Sequence, residues 1–356
     1  MTLVHAFAAG DARASQAFGR SADAALQWHA LPQHFQLENG AEVLNGKLAY
    51  ETWGDPKSSK SGVTLIFAGM SSGCHVTSSA RDSSPGWWED AVGVGRPLTS
   101  DEHFIICVSN LGSCFGSTGP ACVDAKTGQT YGSSFPEITI GDQARAVVHL
   151  LEDQGFDRLN AVIGLSMGGM LALALLEEYS GQIDNFINVS SALRSSPHAK
   201  IWRQAQVEMV KSDGDWNSDT RRPPIEGLQK ARRLALATYT ASAGLEKLGA
   251  GLDAFVDRKA QEFAWKFDAY SFVRLAEAQN AFEFSGKVRT KPHRALVMGT
   301  DTDILCPDYQ QSELETCLRE LGTDTRLEIM ESSNGHDAFL REQHRFASRI
   351  AEFLSQ

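Results

Sequence analysis

Gly164-Leu165-Ser166-Met167-Gly168 fits the G-x-S-x-G pattern that mounts a serine nucleophile on a sharp turn. Asn160 to Gly164 reads as a short buried strand, and Met170 to Tyr179 reads as a strong helix. A turn between them lifts the serine oxygen above the sheet edge and aims a helix N-terminus at it. Gly69-Met70-Ser71-Ser72-Gly73 is a second match and also follows a strand-like run, Val63 to Ala68. The residues after it, Cys74 to Ser79, do not read as a helix, so Ser71 is expected in a loop and Ser166 is the expected nucleophile.

Activating a serine requires a base, and the base requires a group that orients it. In the α/β-hydrolase fold the chain order is serine, acid, histidine. A late strand, Ala295 to Met298, runs into Gly299-Thr300-Asp301-Thr302-Asp303, so Asp301 and Asp303 both stand where the acid belongs. After the strand Arg326 to Met330 comes Asn334-Gly335-His336-Asp337, which places His336 as the base. His293 precedes a strand and His344 falls in the last helix, so neither has loop freedom. The bland reading makes Asp337 a helix N-cap and the two aspartates ordinary turn residues. Three elements in the required order, each at a strand end, outweigh it. Two backbone N–H groups should complete an oxyanion hole, those of Met167 and of Met70.

The elements that would position these residues are legible as apolar runs. Strands are expected at Lys47 to Trp53, Val63 to Ala68, Phe104 to Ser109, Asn160 to Gly164, Phe186 to Ser190, Ala295 to Met298 and Arg326 to Met330. Runs such as I-I-C-V and A-L-V-M suit a parallel sheet covered on both faces. Asp142 to Gln154 reads as a helix stopped by Gly155, and Asp337 to Leu354 as the last helix. Residues 192–288 are charged and helical in pattern and lie between two core strands. The expected organisation is an α/β-hydrolase fold: a mostly parallel sheet with helices on both faces and an inserted helical cap. The N-terminal arm is then 1–30, the catalytic core 31–191 and 289–356, and the cap 192–288. Caps shape the pocket and exclude water.

The chain has 356 residues, 42% hydrophobic and 22% charged, ordinary for a globular protein. A net charge of −11 argues against nucleic acid and anionic membranes as partners. No apolar run approaches the ~20 residues needed to span a bilayer. The Ala-rich first thirty residues lack an uninterrupted apolar core, so a secretory signal is not expected. Cys74, Cys107, Cys114, Cys122, Cys306 and Cys317 form no C-x-x-C pair and no zinc pattern. A reduced, cytoplasmic protein follows.

Several further segments carry a resemblance. They include Ala49-Tyr50-Glu51-Thr52-Trp53-Gly54, Pro85-Gly86-Trp87-Trp88 and the run Leu111 to Pro120, L-G-S-C-F-G-S-T-G-P. Phe135 to Ile140, Ser166-Met167-Gly168-Gly169-Met170, Asp301 to Leu305 and Gly335 to Leu340 continue it. In these the chain resembles the homoserine O-acetyltransferase family, α/β-hydrolase-fold acyltransferases. The resemblance implies Ser166 as nucleophile, Asp303 rather than Asp301 as acid, and His336 as base. It also implies that Arg232 pairs with the carboxylate of an amino-acid acceptor, that Asp337 receives its ammonium, and that Tyr239 lies beside them. The implied reaction passes an acetyl or succinyl group from acyl-CoA, a co-substrate, to the hydroxyl of L-homoserine or L-serine through an acyl-serine. Such a reaction belongs to methionine or cysteine biosynthesis. No metal or prosthetic group is implied, and a homodimer is. Met70-Ser71-Ser72 stands where the family usually has Leu-Thr-Gly, and Leu165 where it usually has glycine. The competing reading is a serine-triad esterase, which would hand the acyl group to water.

Overall fold

The computed structural model describes residues 25–57, 62–217 and 222–356. Eight strands form the main sheet: β1 Gln27–Ala30, β4 Lys47–Trp53, β5 Val63–Phe67, β6 Phe104–Val108, β7 Arg158–Leu165, β8 Gln182–Val189, β9 Arg294–Thr300 and β10 Asp324–Met330. Their order is β1-β4-β6-β5-β7-β8-β9-β10. β1 and β4 pair antiparallel at one edge, as do β4 and β6, and the remaining pairs are parallel. A hairpin of β2 His34–Gln36 and β3 Glu42–Leu44 stands apart from this sheet.

The central parallel strands β5 (V-T-L-I-F) and β6 (F-I-I-C-V) are almost wholly apolar because both of their faces are covered, whereas edge strand β10 (D-T-R-L-E-I-M) is only partly buried. Within β5, Leu65 and Phe67 enter one core and Ile66 enters the other, as the period of two requires. The first core is closed by α1 Ile140–Asp153 and α2 Met167–Glu178. Thr139 and Asp142 start α1 with a reciprocal capping box. Ten residues of α2 are buried, so its uniformly apolar sequence reflects burial all round. α8 Asp308–Glu320 places Leu314 and Leu318 on the same side. On the other face, α10 Gln343–Leu354 buries Phe346, Ile350 and Phe353.

Between β8 and β9 come α3 Pro197–Lys211, α4 Ile225–Tyr239, α5 Ser242–Glu246, α6 Leu252–Lys266 and α7 Ala269–Ala281. α3 packs on α4 and α7, and α4 packs on α6.

Two expectations are corrected. The predicted arm ends in structure: its last residues form β1, whose Gln27–Ala30 register runs against Tyr50–Lys47. The rest of the arm, residues 1–24, lies outside the described residues. The predicted last helix is not continuous. Gly335–Asp337 is a 3-10 turn, α9 spans Ala338–Arg341, and the chain breaks at Glu342 (φ −115°, ψ 40°) before α10. Glu342 turns its carboxylate back onto Ser332 and Asn334, which holds the loop that carries His336.

Candidate active site

Ser166 sits between β7 and α2 with φ 55° and ψ −121°, a conformation that costs a non-glycine residue of order 1–3 kcal/mol. The glycines around it make the turn possible. A Cβ on Gly168 would stand 2.2 Å from the Phe67 carbonyl oxygen, and one on Gly164 2.4 Å from that of Gly168. The second G-x-S-x-G leads into no helix; its Ser71 is exposed on a loop, and Gly69 to Ser72 line the pocket beside Ser166.

The three residues of the expected triad meet. The Ser166 Oγ lies 2.8 Å from His336 Nε2, and His336 Nδ1 lies 2.7 Å from Asp303 Oδ2. Because Asp303 can only accept, Nδ1 donates to it and Nε2 is left to accept from the serine hydroxyl. The other Asp303 oxygen accepts from the N–H groups of Leu305 (2.9 Å) and Cys306 (3.0 Å), which fixes the carboxylate. Asp301 faces away: it is exposed, and its Oδ1 accepts from the Ser332 N–H at 3.0 Å. The Thr302 hydroxyl donates to the Ser332 carbonyl at 2.5 Å. Ser332 thus ties the acid turn to the base turn. His293 is exposed beside Asp184, and His344 contacts Ser348 within α10. Asp337 stands at the N-cap position of α9, but its side chain makes no cap hydrogen bond, so capping does not account for its carboxylate.

Burial alone would lower the His336 pKa, but the charge and hydrogen bond of Asp303 and the charge of Asp337 outweigh it. The net shift is upward from the ordinary value of 6.5, with Arg203 opposing. A base works only when neutral, so the acylation rate is expected to rise with pH through a midpoint above 6.5. Single-turnover acylation followed from pH 5 to 9 checks this; a midpoint below the ordinary imidazole value would contradict it. Burial pushes the Asp337 pKa up as well, and Arg232, His336 and Arg341 pull it back only in part.

The Met70 N–H has no acceptor among the described residues, and Met167 begins α2, where an N–H lacks an intrahelical partner. Gly69 packs against Ser166: a Cβ on it would lie 3.8 Å from that of the serine. Both expected oxyanion residues therefore border Ser166.

The pocket over Ser166 is walled by the helices between β8 and β9. Trp202, Arg203 and Gln206 come from α3, Thr238 and Tyr239 from α4, and Gln279 from α7. Tyr239 lies 6.0 Å, ring to ring, from His336, and both it and Asp337 line the pocket. Arg232 does not line it. Its guanidinium stacks over Phe263 at 4.5 Å and Tyr239 at 5.2 Å, and its buried Nε has no hydrogen-bond partner among the described residues.

Arg203 was missed by the sequence reading. It is 9% exposed, lines the pocket and donates to the Ser195 hydroxyl at 3.0 Å and to the Asn280 side-chain oxygen. Among the described residues no carboxylate pairs with it. Gln206 and Gln279, 5% and 6% exposed, line the same pocket, and their side-chain amides make no hydrogen bond among the described residues. A signal was present: Ala199, Arg203, Gln206, Val207 and Val210 share the buried face of α3, so an arginine sits on the apolar stripe of an amphipathic helix.

An elbow serine, a buried histidine and a buried aspartate in one hydrogen-bonded string, at the C-terminal edges of β7, β10 and β9, define an α/β-hydrolase-fold protein with a serine–histidine–aspartate site. The family model for the alpha/beta hydrolase fold matches residues 67–342. An L-serine/homoserine O-acetyltransferase of Streptomyces lavendulae is 35% identical over 91% of this chain and 96% of its own. A serine O-succinyltransferase of Stenotrophomonas maltophilia is 33% identical over 92% and 97%. Among solved structures, a homoserine O-acetyltransferase from Bacillus anthracis superposes with a TM-score of 0.82 at 25% identity, covering 93% of this chain and 97% of that one. The chain belongs to the homoserine/serine O-acyltransferase family, and it is an acyltransferase. Among the described residues no helix is long and apolar enough to cross a membrane.

Proposed function

We propose that the protein transfers a succinyl group from succinyl-CoA to the hydroxyl of L-serine by a ping-pong route through acyl-Ser166, in the cytoplasm and without a metal or prosthetic group. L-serine is favoured over L-homoserine because serine stands in the names of both sequence relatives. The observation that carries the donor is Arg203, a buried guanidinium in the acyl-transfer pocket that pairs with no carboxylate among the described residues. A guanidinium and a carboxylate form a charge-assisted pair, and the free amides of Gln206 and Gln279 offer further donors to the same group. An acetyl group presents nothing to these three residues.

In the first half-reaction His336 Nε2 takes the Ser166 proton as Oγ attacks the thioester carbonyl. The Met70 and Met167 amides hold the oxyanion. The C–S bond breaks, and the CoA thiolate leaves with the proton from His336. In the second half-reaction the serine hydroxyl gives its proton to the same Nε2 and attacks the acyl ester, and Ser166 recovers the proton as it departs. Asp303 keeps the imidazole in the required tautomer and stabilises its cation. Asp337 receives the acceptor ammonium. The family resemblance gives the acceptor carboxylate to Arg232; since its guanidinium stacks on Tyr239 off the pocket wall, that pairing requires Tyr239 or the arginine to move when the acceptor binds. The family resemblance adds a homodimer, which light scattering on a sizing column tests.

The test is a matrix of acetyl- and succinyl-CoA against L-serine and L-homoserine, with thiol release followed and products identified. A charge-assisted contact is worth roughly 1.5–3 kcal/mol, so Arg203→Gln should lower kcat/KM for succinyl-CoA about ten- to a hundred-fold and leave acetyl-CoA nearly untouched. Arg232→Ala should instead weaken acceptor use and spare the burst of thiol in its absence. Equal losses on both donors would remove Arg203 from the acyl site.

A further inference from the structure

We propose that Asp303, Cys306 and His336 form a binding site for a thiophilic divalent cation, Zn²⁺ being the type, whose occupation shuts off Ser166. An Asp303 oxygen, a His336 ring nitrogen and the Cys306 sulfur lie within 4.8 Å of one another, and all three residues are buried. Among the described residues no other group of three such side chains gathers this closely. Cys306 and His336 both line the pocket, which gives an ion its route from solvent.

The donor set suits such an ion. Zn²⁺ binds thiolate at about 2.3 Å and imidazole or carboxylate at about 2.0–2.2 Å, so tetrahedral donors stand roughly 3.3–3.8 Å apart. His336 Nδ1 and Asp303 Oδ2 stand 2.7 Å apart as a hydrogen-bonded pair, so the ion enters by taking the place of that hydrogen bond while the two side chains part by about 1 Å. Asp303 is already anchored through Oδ1 by two backbone N–H groups, leaving Oδ2 turned toward the site.

Binding is inhibitory by proton placement. The ion replaces the proton on His336 Nδ1, and the ring's one proton then sits on Nε2; the Cys306 thiol releases its proton to solvent as the sulfur–metal bond forms. With Nε2 protonated, His336 donates to Ser166 and cannot take the serine proton. Cys306 serves the acyl transfer through its backbone N–H to Asp303 and not through its thiol, so the thiol makes the enzyme metal-sensitive without serving its chemistry. The inhibition rests on His336 acting as the base, whereas binding does not, so the two are read separately.

Binding is read with Co²⁺ on metal-stripped protein. The expected signal is a thiolate-to-cobalt charge-transfer band that saturates near one ion per chain and is absent from Cys306→Ser and Cys306→Ala. Inhibition is read with Zn²⁺ on acylation by a nitrophenyl ester of the acyl acid, which releases no thiol to chelate the ion. Zn²⁺ should stop wild-type acylation. Its potency should fall about ten- to a hundred-fold in either cysteine variant, each measured against its own metal-free rate. Absence of the thiolate band in the wild type overturns the site, with no variant needed. Undiminished Zn²⁺ potency in folded Cys306→Ser overturns the role of the cysteine. A cobalt band with no loss of acylation would leave binding intact and refute the inhibition, pointing back at His336 as base.

Discussion

Ser166→Ala is expected to lower turnover by about 10⁴-fold or more while leaving the fold intact, because a triad acts as a unit. That loss corresponds to roughly 5.5 kcal/mol of transition-state stabilisation. Two features of the site carry the expectation. The hydroxyl is 2.8 Å from His336 Nε2, and the backbone that presents it is held at φ 55°, a conformation alanine can share at similar strain. Relief or increase of strain therefore contributes little, and the rate loss reports the missing oxygen. Steady-state thiol release with active-site burst analysis measures it. A residual rate within tenfold of wild type would move the nucleophile elsewhere, and Ser71 on the neighbouring loop would be the first residue to test.

Asp303→Asn is the second large effect. Asn can keep the two backbone N–H donors of Leu305 and Cys306 on its oxygen, which turns its NH₂ toward His336 Nδ1. A donor there makes Nδ1 an acceptor and puts the ring proton on Nε2, the wrong tautomer for a base. The expected loss is on the order of 10⁴-fold in kcat, with the donor KM little changed. Asp301→Asn serves as the internal comparison. Asp301 is exposed and only accepts from the Ser332 N–H, which the amide oxygen of Asn can still do. Its effect should stay within about twofold, the range of an ordinary surface substitution. The reverse ranking in stopped-flow acylation would refute the assignment of the acid.

These two aspartates show where the sequence stops being legible. Both follow β9 in one turn, and spacing alone does not say which faces the histidine; the family resemblance pointed to Asp303, and the hydrogen bond to His336 Nδ1 now shows the contact directly. The elbow was legible because its requirements are local: glycines where a Cβ would strike Phe67 or Gly168, a strand before, a helix after. The central parallel strands such as β5, β6 and β9 were legible because burial on both faces leaves a nearly apolar run. β1, β2 and β3 were not, since each has three or four residues and an alternating or exposed pattern no different from loop. The break at Glu342 was hidden for another reason. It coincides with hydrogen bonds from Ser332 and Asn334 to the Glu342 carboxylate, which no helical pattern announces, while the apolar spacing of Phe346, Ile350 and Phe353 continues past it undisturbed. Arg203 was passed over because charges are frequent throughout the helices around it, and only burial separates a pocket arginine from a solvated one. Arg232 makes the converse point: its role came from resemblance, and the structure places it behind Tyr239 rather than on the pocket wall.

Intact-protein mass spectrometry distinguishes acyl transfer through Ser166 to an amino acid from hydrolysis. The protein is mixed with succinyl-CoA alone, and the mass is taken before and after addition of L-serine. A single succinyl adduct is expected that maps to Ser166, persists without acceptor, and disappears on the time scale of turnover once L-serine is added, with O-succinylserine appearing in equal amount. An adduct that decays equally fast in water, with free succinate as the product, would contradict it and make the protein a hydrolase.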